Sequence, residues 1–491
     1  MRVLIDTNLV INREDNVAVQ EQTFTLFRIL NENRVQIVVH PITASEIRGD
    51  RDADRRALVL SKLATYAVLE SPPEPDSQFR ERSGEGNRPN DARDTHLLLA
   101  LLVSAVDFLI SEDKGLLDRA ARLRLQDRAL SVASGLEYFS QFFGRVFPAA
   151  PHYLRRSPLH RLDLQDPFFD SFREDYHGFD TWFREVSAQG RMCIWVPDST
   201  ERVGAVLIYK EESEAVGPLP PLQRLKICSM KVADTMARQR LSELMLSFAF
   251  KFCERNRIAE CYLTIFPHHT ALIDILALFG FRDIGSKPNG EKILVKRMIP
   301  DRSTELRRPG EFFREFFPGY LDGPDVRKFI VPVQPAWHTR LFPDYSPNPE
   351  QRTLEEYGGG DLLYRLSPAG NAIRKAYLSN APIRRIRTGD LLLFYRSHDV
   401  RRITHLGVVE RADVCTGVPQ IVDLVGNRTV LPVRELEELC RGEVLTLLFW
   451  DTGRIPGAQP AGVLLGDTIP SAPQSIVELE QREYVELCRA N

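Results

Sequence analysis

Nowhere in this chain do about 18 apolar residues follow one another without a charge. The longest apolar stretch, Leu97 to Ile110, is short and carries Asp107. A membrane span is therefore not expected, and no membrane partner with it. Cysteine is sparse as well: Cys193, Cys228, Cys253, Cys261, Cys415, Cys440 and Cys488 are scattered, odd in number and never spaced as C-x-x-C. That argues against a disulfide framework and against a zinc site, and suits a reducing, cytoplasmic setting. The first residues, Met1 to Asn8, lack the charged-then-apolar pattern of a secretory leader, so no export is expected. An excess of either charge is missing too: 64 Lys and Arg stand against 67 Asp and Glu, a net charge of -3. Any attraction to nucleic acid must then come from local basic patches. No internal repeat or low-complexity tract is visible.

What is present is ordinary globular composition, 43% hydrophobic and 27% charged. The 491 residues exceed what one hydrophobic core supports, which predicts roughly three domains. Three patterns divide the chain accordingly, over residues 1–147, 158–299 and 326–452. In the first, buried-strand runs at Arg2 to Ile5, Val35 to Val39 and Phe108 to Ser111 alternate with helical segments such as Leu97 to Val106, as in a parallel sheet covered by helices. Ser71 to Asn90 reads as an exposed loop, rich in Pro, Gly and charge. The second has an α+β order: strands at Ile194 to Val196, Gly204 to Tyr209 and Leu225 to Val232, a long helix from Ser242 to Asn256, a strand at Glu260 to Ile265 and a short helix Ala271 to Phe279. A charged, Pro-flanked linker, Pro300 to Pro309, leads to the third, whose closely spaced short strands suggest a small barrel. The expected fold class is thus multidomain α/β: a parallel sheet with helices, an α+β domain, then a small β-barrel.

Acidic residues fall at the places where the first sheet ends. Asp6 closes the strand run Leu4-Ile5-Asp6, and Asp113 follows Phe108-Leu109-Ile110-Ser111-Glu112. Both would open on the carboxyl rim of a parallel sheet, where α/β proteins place their sites. Glu46 lies in Ser45-Glu46-Ile47, and Asp94 begins an amphipathic helix. Each acid alone suits a helix cap or a turn. Four together repel one another, a cost that a hard divalent cation such as Mg2+ or Mn2+ relieves. Beside a phosphodiester, such ions support hydrolysis of RNA or DNA.

The stretches L-I-D-T-N, S-E-I, D-A-R-D and L-I-S-E-D stand in the order and approximate spacing of the PIN family, and the first 145 or so residues resemble its VapC-type toxins. The resemblance implies an endoribonuclease that cuts single-stranded RNA, with Asp6, Glu46, Asp94 and Asp113 as catalytic and metal-holding residues. It also implies that Asn8 and Ser111 orient the first and last acids, with Asp91 an alternative to Asp94 and Glu112 to Asp113. An antitoxin or immunity protein would be the family's partner.

The run Leu225 to Val232, followed by Ala237-Arg238-Gln239-Arg240-Leu241-Ser242, resembles the central strand, turn and helix of GNAT acetyltransferases. Leu278-Phe279-Gly280-Phe281 resembles that family's final helix and strand. In it, the turn holds acetyl-CoA pyrophosphate on backbone N–H groups at a helix N-terminus. Here the glycines of the turn are absent. Val232, Arg238, Arg240 and Ser242 are the positions that would meet the cofactor, and the tyrosine position of the family is Leu276. His268 and His269, beyond a strand end, suit a solvated turn better than a catalytic base.

Arg384 to Ser397 and Thr404 to Glu410 resemble the EVE, ASCH and PUA-like barrels, which implies binding of RNA, tRNA included, or of modified bases. Arg374, Lys375, Tyr377, Arg396 and Arg428 are the expected nucleic-acid contacts, because basic residues interleaved with aromatics supply phosphate contacts beside stacking surfaces. A solvated basic face over an aromatic core fits the same pattern. Asn371, Ser397 and Asn427 are further candidates for ligand contact. The expected function is a divalent-metal-dependent endoribonuclease with GNAT-like and RNA-binding modules. Two alternatives remain: an acetyl-CoA-dependent N-acetyltransferase acting on RNA, a tRNA-linked amine or protein, and a nucleic-acid sensor without enzymatic activity. Homodimerisation stays open.

Overall fold

The computed structural model describes the chain except for residues 7–8, 10–16, 34, 44–65, 87, 89, 145–150, 152, 301–307, 346–367, 454, 456–461, 466–471 and 490–491. Two compact units emerge, one of residues 1–146 and 157–193, the other of residues 147–156 and 194–491. Among the described residues no helix is long and apolar enough to cross a membrane.

The first unit is built on five parallel strands, β1 (Arg2–Ile5), β2 (Gln36–Val39), β3 (Ala67–Val68), β4 (Phe108–Ile110) and β5 (Ala129–Leu130), in the order β3-β2-β1-β4-β5. The chain builds outward from β1 through β2 to β3, then returns to place β4 and β5 on the other side of β1. The order therefore reverses between β1 and β4, the kind of switch point at which parallel sheets hold their ligands. Both faces are covered, which is why these strands read as continuous apolar runs. Val3, Ile5, Ile37, Val39 and Ile110 pack toward the helices Val17–Glu32 and Val132–Gly144. Leu4, Val38 and Leu109 pack on the other face against Leu97, Leu98 and Leu101 of the helix Asp91–Leu102. Residues 157–193 add the aromatic cluster of Phe168, Phe169, Phe172, Phe179 and Phe183. They are tied in where Asp107 accepts hydrogen bonds from His160 Nε2 at 2.9 Å, from Arg161 and from the Arg2 backbone N–H. These donors hold the Asp107 carboxyl well below its ordinary range against the opposing effect of burial.

The second unit carries two sheets. The first joins β6 (Arg155–Pro158), β7 (Met192–Pro197), β8 (Val203–Glu212), β9 (Arg224–Val232), β10 (Glu260–Ile265), β11 (Arg282–Ser286) and β12 (Lys292–Arg297) in the order β11-β12-β10-β9-β8-β7-β6; the division between the units falls inside β6 and β7. The strands β9 and β10 run parallel and keep register only from Arg224 opposite Glu260 to Ile227 opposite Leu263. Beyond Ile227, β9 continues to Val232 paired with β8 alone. The second sheet holds β13 (Lys328–Val333), β14 (Arg374–Ser379), β15 (Leu391–Arg396), β16 (Arg402–Cys415), β17 (Val444–Gly453), β18 (Val463–Leu464) and β19 (Val477–Leu479), in the order β14-β17-β16-β15-β13-β19, with β18 paired to β16. It is mixed, since β13 and β15 run parallel while the other pairs are antiparallel. A small barrel was expected here; among the described residues β14 and β19 are the two ends of the strand order. Trp450, fully buried, is ringed by Phe279, Phe313 and Phe317 at 5.3 to 5.4 Å, which seats the helix Pro309–Phe316.

Candidate active site

Leu4 and Asp6 share a face of β1, so the side chain of Asp6 emerges on the side of the helix Asp91–Leu102, just past the end of the strand. Asp6 is fully buried, and its Oδ2 accepts the Ser111 hydroxyl at 2.7 Å. Ser111 Oγ in turn accepts the backbone N–H of Asp113 at 3.0 Å. One hydroxyl thus connects the acids at the ends of β1 and β4. Asp113 caps the helix Lys114–Arg122, its Oδ1 accepting from the N–H groups of Gly115 at 2.7 Å and Leu116 at 3.1 Å.

Asp94 sits in the first turn of its helix with Asp91, where acids suit the helix dipole. It is buried, and its carboxyl is pushed up to about 6. Burial is the main cause; Arg93 opposes it, and the nearby charges of Asp6 and Asp113 reinforce it. Arg93 Nη2 lies 3.2 Å from Asp94 Oδ1 and 3.7 Å from Asp6 Oδ1. Arg119, also buried, approaches Asp94 Oδ2 at 3.8 Å, while its donors bind Ser83 O, Ser83 Oγ, Thr95 Oγ1 and Asp91 O. It fixes the helix Asp91–Leu102 between its neighbours.

Of the acids expected from the sequence, the structure brings Asp6, Asp94 and Asp113 to one rim. Their oxygens do not all approach within 4.8 Å of one another. Glu46 and Asn8 lie outside the described residues. Asp91 binds its own turn, accepting the Arg88 N–H at 2.9 Å, and Glu112 accepts the Val132 N–H at 2.6 Å. Asp94 and Asp113 are accordingly the members of those pairs that face Asp6. The donor set, three carboxylates at one rim, fits a hard divalent cation in its chemistry. Arg93 was missed in the sequence; the signal was a lone base between two acids in D-A-R-D, on a helix whose residues Arg93 to Leu101 are all buried.

In the second unit, Val232 ends β9 and the turn before the helix Leu241–Arg255 places Arg238 and Arg240 at positive φ, 71° and 55°, where glycine is the easier residue. Arg240 is committed: Nε and Nη2 donate to Asn427 Oδ1 at 2.9 and 2.7 Å, and Nη1 to Glu243 Oε1 at 2.5 Å. Glu243 Oε2 accepts the N–H of Ile373 at 2.9 Å, and Asn371 and Asn427 donate to the carbonyls of Gln239 and Arg238. Arg238 is exposed and Ser242 half-buried, so these two suit a phosphate while Arg240 does not. Leu276 is a core residue, and His268 and His269 stand in a turn after β10.

The expected nucleic-acid contacts separate. Lys375 is buried, with Nζ donating to the carbonyls of Leu341, Ala369 and Gly370 and 3.6 Å from Asp451, so it cannot reach a phosphate. Arg374 forms a fork with Glu410 at 2.7 and 2.8 Å, and Arg396 one with Asp399 at 2.7 and 3.0 Å. Arg428 is half-buried beside Arg240 and Arg374, and burial followed by those two charges pulls its guanidinium down. Asn371 also accepts the Tyr153 hydroxyl, and Ser397 donates to Val333 O. Only Tyr377 and Ser397 of this set line the large groove of the second sheet, about 1030 Å³, shared with Trp337, Asn380, Tyr395 and Arg401.

No family model and no curated protein matches this chain. Solved structures do, each over about a third of it or less. An ASCH mutant protein from Zymomonas mobilis is similar at 12% identity and a TM-score of 0.25, over 34% of this chain and 99% of that one. An acetyltransferase of the GNAT family from Staphylococcus aureus is similar at 11% identity and a TM-score of 0.22, over 26% of this chain and 80% of that one. PaiA N-acetyltransferase from Thermoplasma acidophilum, a structure in complex with coenzyme A, is similar at 13% identity and a TM-score of 0.23, over 29% and 97%. The structural neighbours thus include ASCH and GNAT acetyltransferase folds.

Proposed function

We propose that the first unit hydrolyses nucleic-acid phosphodiesters, RNA foremost, with a divalent cation held by Asp6, Asp94 and Asp113, and with Glu46 as the fourth acid. The observation that carries this reading is the meeting of the strand-end carboxylate of Asp6 with the helix carboxylate of Asp94 around one guanidinium, at the switch point of a parallel sheet. When bound, the ion would supply an activated water and neutralise charge on the phosphate. The chain's own part is placement. Ser111 aims Asp6, the capping bonds hold Asp113, and Arg119 anchors the helix that presents Asp94. The rest of the chain, read as a GNAT-like module over residues 158–299 and a PUA-like module over residues 326–452, would select the RNA, with the groove beside Trp337 and Tyr377 as its contact surface. The test is cleavage of single-stranded RNA with Mn2+. The Asp6→Asn, Asp94→Asn double variant should lose at least about a hundredfold in rate. A double variant as fast as the parent removes the assignment.

A second reading, an acetyl-CoA-dependent N-acetyltransferase, is favoured by the order of strand β9, whose pairing with β10 ends at Ile227, then a turn, then the N-terminus of the helix Leu241–Arg255. Calorimetric titration with acetyl-CoA tests it; absence of heat at millimolar ligand excludes it.

A further inference from the structure

The guanidinium of Arg93 stands between Asp6 and Asp94, with Nη2 3.7 Å from Asp6 Oδ1 and 3.2 Å from Asp94 Oδ1. Arg119 spends its donors on carbonyl and hydroxyl oxygens at 2.5 to 3.2 Å and reaches Asp94 only at 3.8 Å. It is locked in place by groups other than the acids. Arg93, by contrast, places one nitrogen near both carboxylates.

A Mg2+ or Mn2+ ion requires carboxylate oxygens at about 2.1 Å. A cation held by Asp6 and Asp94 would have to share the space beside Asp6 Oδ1 and Asp94 Oδ1 with Arg93 Nη2, which lies 3.7 and 3.2 Å from them. The two cations also repel each other across a buried site, where screening by water is weak. Asp6 and Asp94 are both buried.

From these contacts we infer that Arg93 is a built-in counter-cation that competes with the divalent ion for the gap between Asp6 and Asp94, so that metal loading requires its side chain to swing out. This deepens the nuclease reading and rests on it. Arg93 is then a positioning residue that sets how tightly the site takes metal.

The experiment is calorimetric titration of Mn2+ alone into the full chain, parent against Arg93→Gln and Arg93→Lys, with folding checked by circular dichroism. Arg93→Gln should bind Mn2+ at least about tenfold more tightly than the parent, while Arg93→Lys, which keeps the charge, should stay within about threefold. Equal or weaker binding by a folded Arg93→Gln overturns the inference and leaves the nuclease reading standing, provided the parent binds. Binding by Arg93→Gln alone supports the inference and removes the nuclease reading for the parent chain; binding by neither removes both. A crystal of the parent soaked in Mn2+ decides the matter without a variant. Arg93 displaced from Asp6 and Asp94 is the expected result, and an ion between those acids with Arg93 unmoved overturns it.

Discussion

The hydroxyl of Ser111 donates a hydrogen bond to Asp6 Oδ2 at 2.7 Å, across 105 residues of chain, and Ser111 Oγ accepts the N–H of Asp113. Replacing Ser111 by Ala leaves a fully buried carboxylate and a backbone N–H short of a partner each. The expected cost is about 1–3 kcal/mol of stability, read as a lower denaturant midpoint at unchanged slope. Mn2+ affinity should fall with it, since Asp6 loses its orienting bond. A Ser111→Ala protein as stable as its parent would mean that Asp6 is held by other means.

Lys375 offers a prediction that separates structure from nucleic-acid contact. Its ammonium is enclosed by three carbonyls and Asp451, and burial pulls its pKa down against the pull of that acid. Lys375→Ala strands a buried carboxylate, so a loss of about 3–5 kcal/mol is expected. Arg401→Ala, at an exposed residue lining the groove, should instead weaken RNA binding and its salt dependence with little change in melting temperature. The reverse pattern in the two variants would place RNA away from the groove.

Such a division was only half visible in the sequence. Arg374 and Lys375 are neighbours on a strand, so one had to point inward, but a run of bases does not say which. Asp6 and Asp113 were legible because each ends an apolar run that a parallel sheet buries on both faces. Asp94 could not be told from Asp91 by spacing; the direction of the side chain decided it, and direction follows from which helix face packs on Leu4 and Val38. Arg93, the lone base in D-A-R-D, gave no sign of its side chain's direction for the same reason. Residues 157–193 join the first unit through the bond of His160 to Asp107, 53 residues away, a contact that leaves no mark on composition.

Lys296 should give the second unit a pH-dependent stability. The side chain is completely buried, Nζ donates to Glu315 O at 2.7 Å, and burial lowers its pKa from 10.5 to about 7. Between those values the unfolded chain holds a proton that the folded one lacks, so this group's contribution to stability rises as pH rises from about 7 and is lost as pH falls. Lys296→Met should flatten that dependence and be neutral or stabilising near pH 7. Chemical denaturation of both proteins at pH 7 and pH 9.5 measures it. An identical pH slope in the two shows that Lys296 is charged when folded.

The turn before Leu241 carries the last prediction, because its two arginines have parted roles. Arg240 is bound to Asn427 and Glu243, whereas Arg238 is exposed at the same helix N-terminus. Removing Arg240 should therefore lower stability, by about 1–3 kcal/mol for bonds made by a charged donor. Acetyl-CoA, if the parent takes it, should bind this variant within about twofold of the parent. Arg238→Ala should do the opposite: unchanged melting, and at least about tenfold weaker acetyl-CoA binding, as expected for a phosphate contact. Weaker binding after loss of Arg240 than after loss of Arg238 would mean that Arg240 leaves Asn427 to meet the ligand, and that the contacts seen here belong to a closed form of the turn.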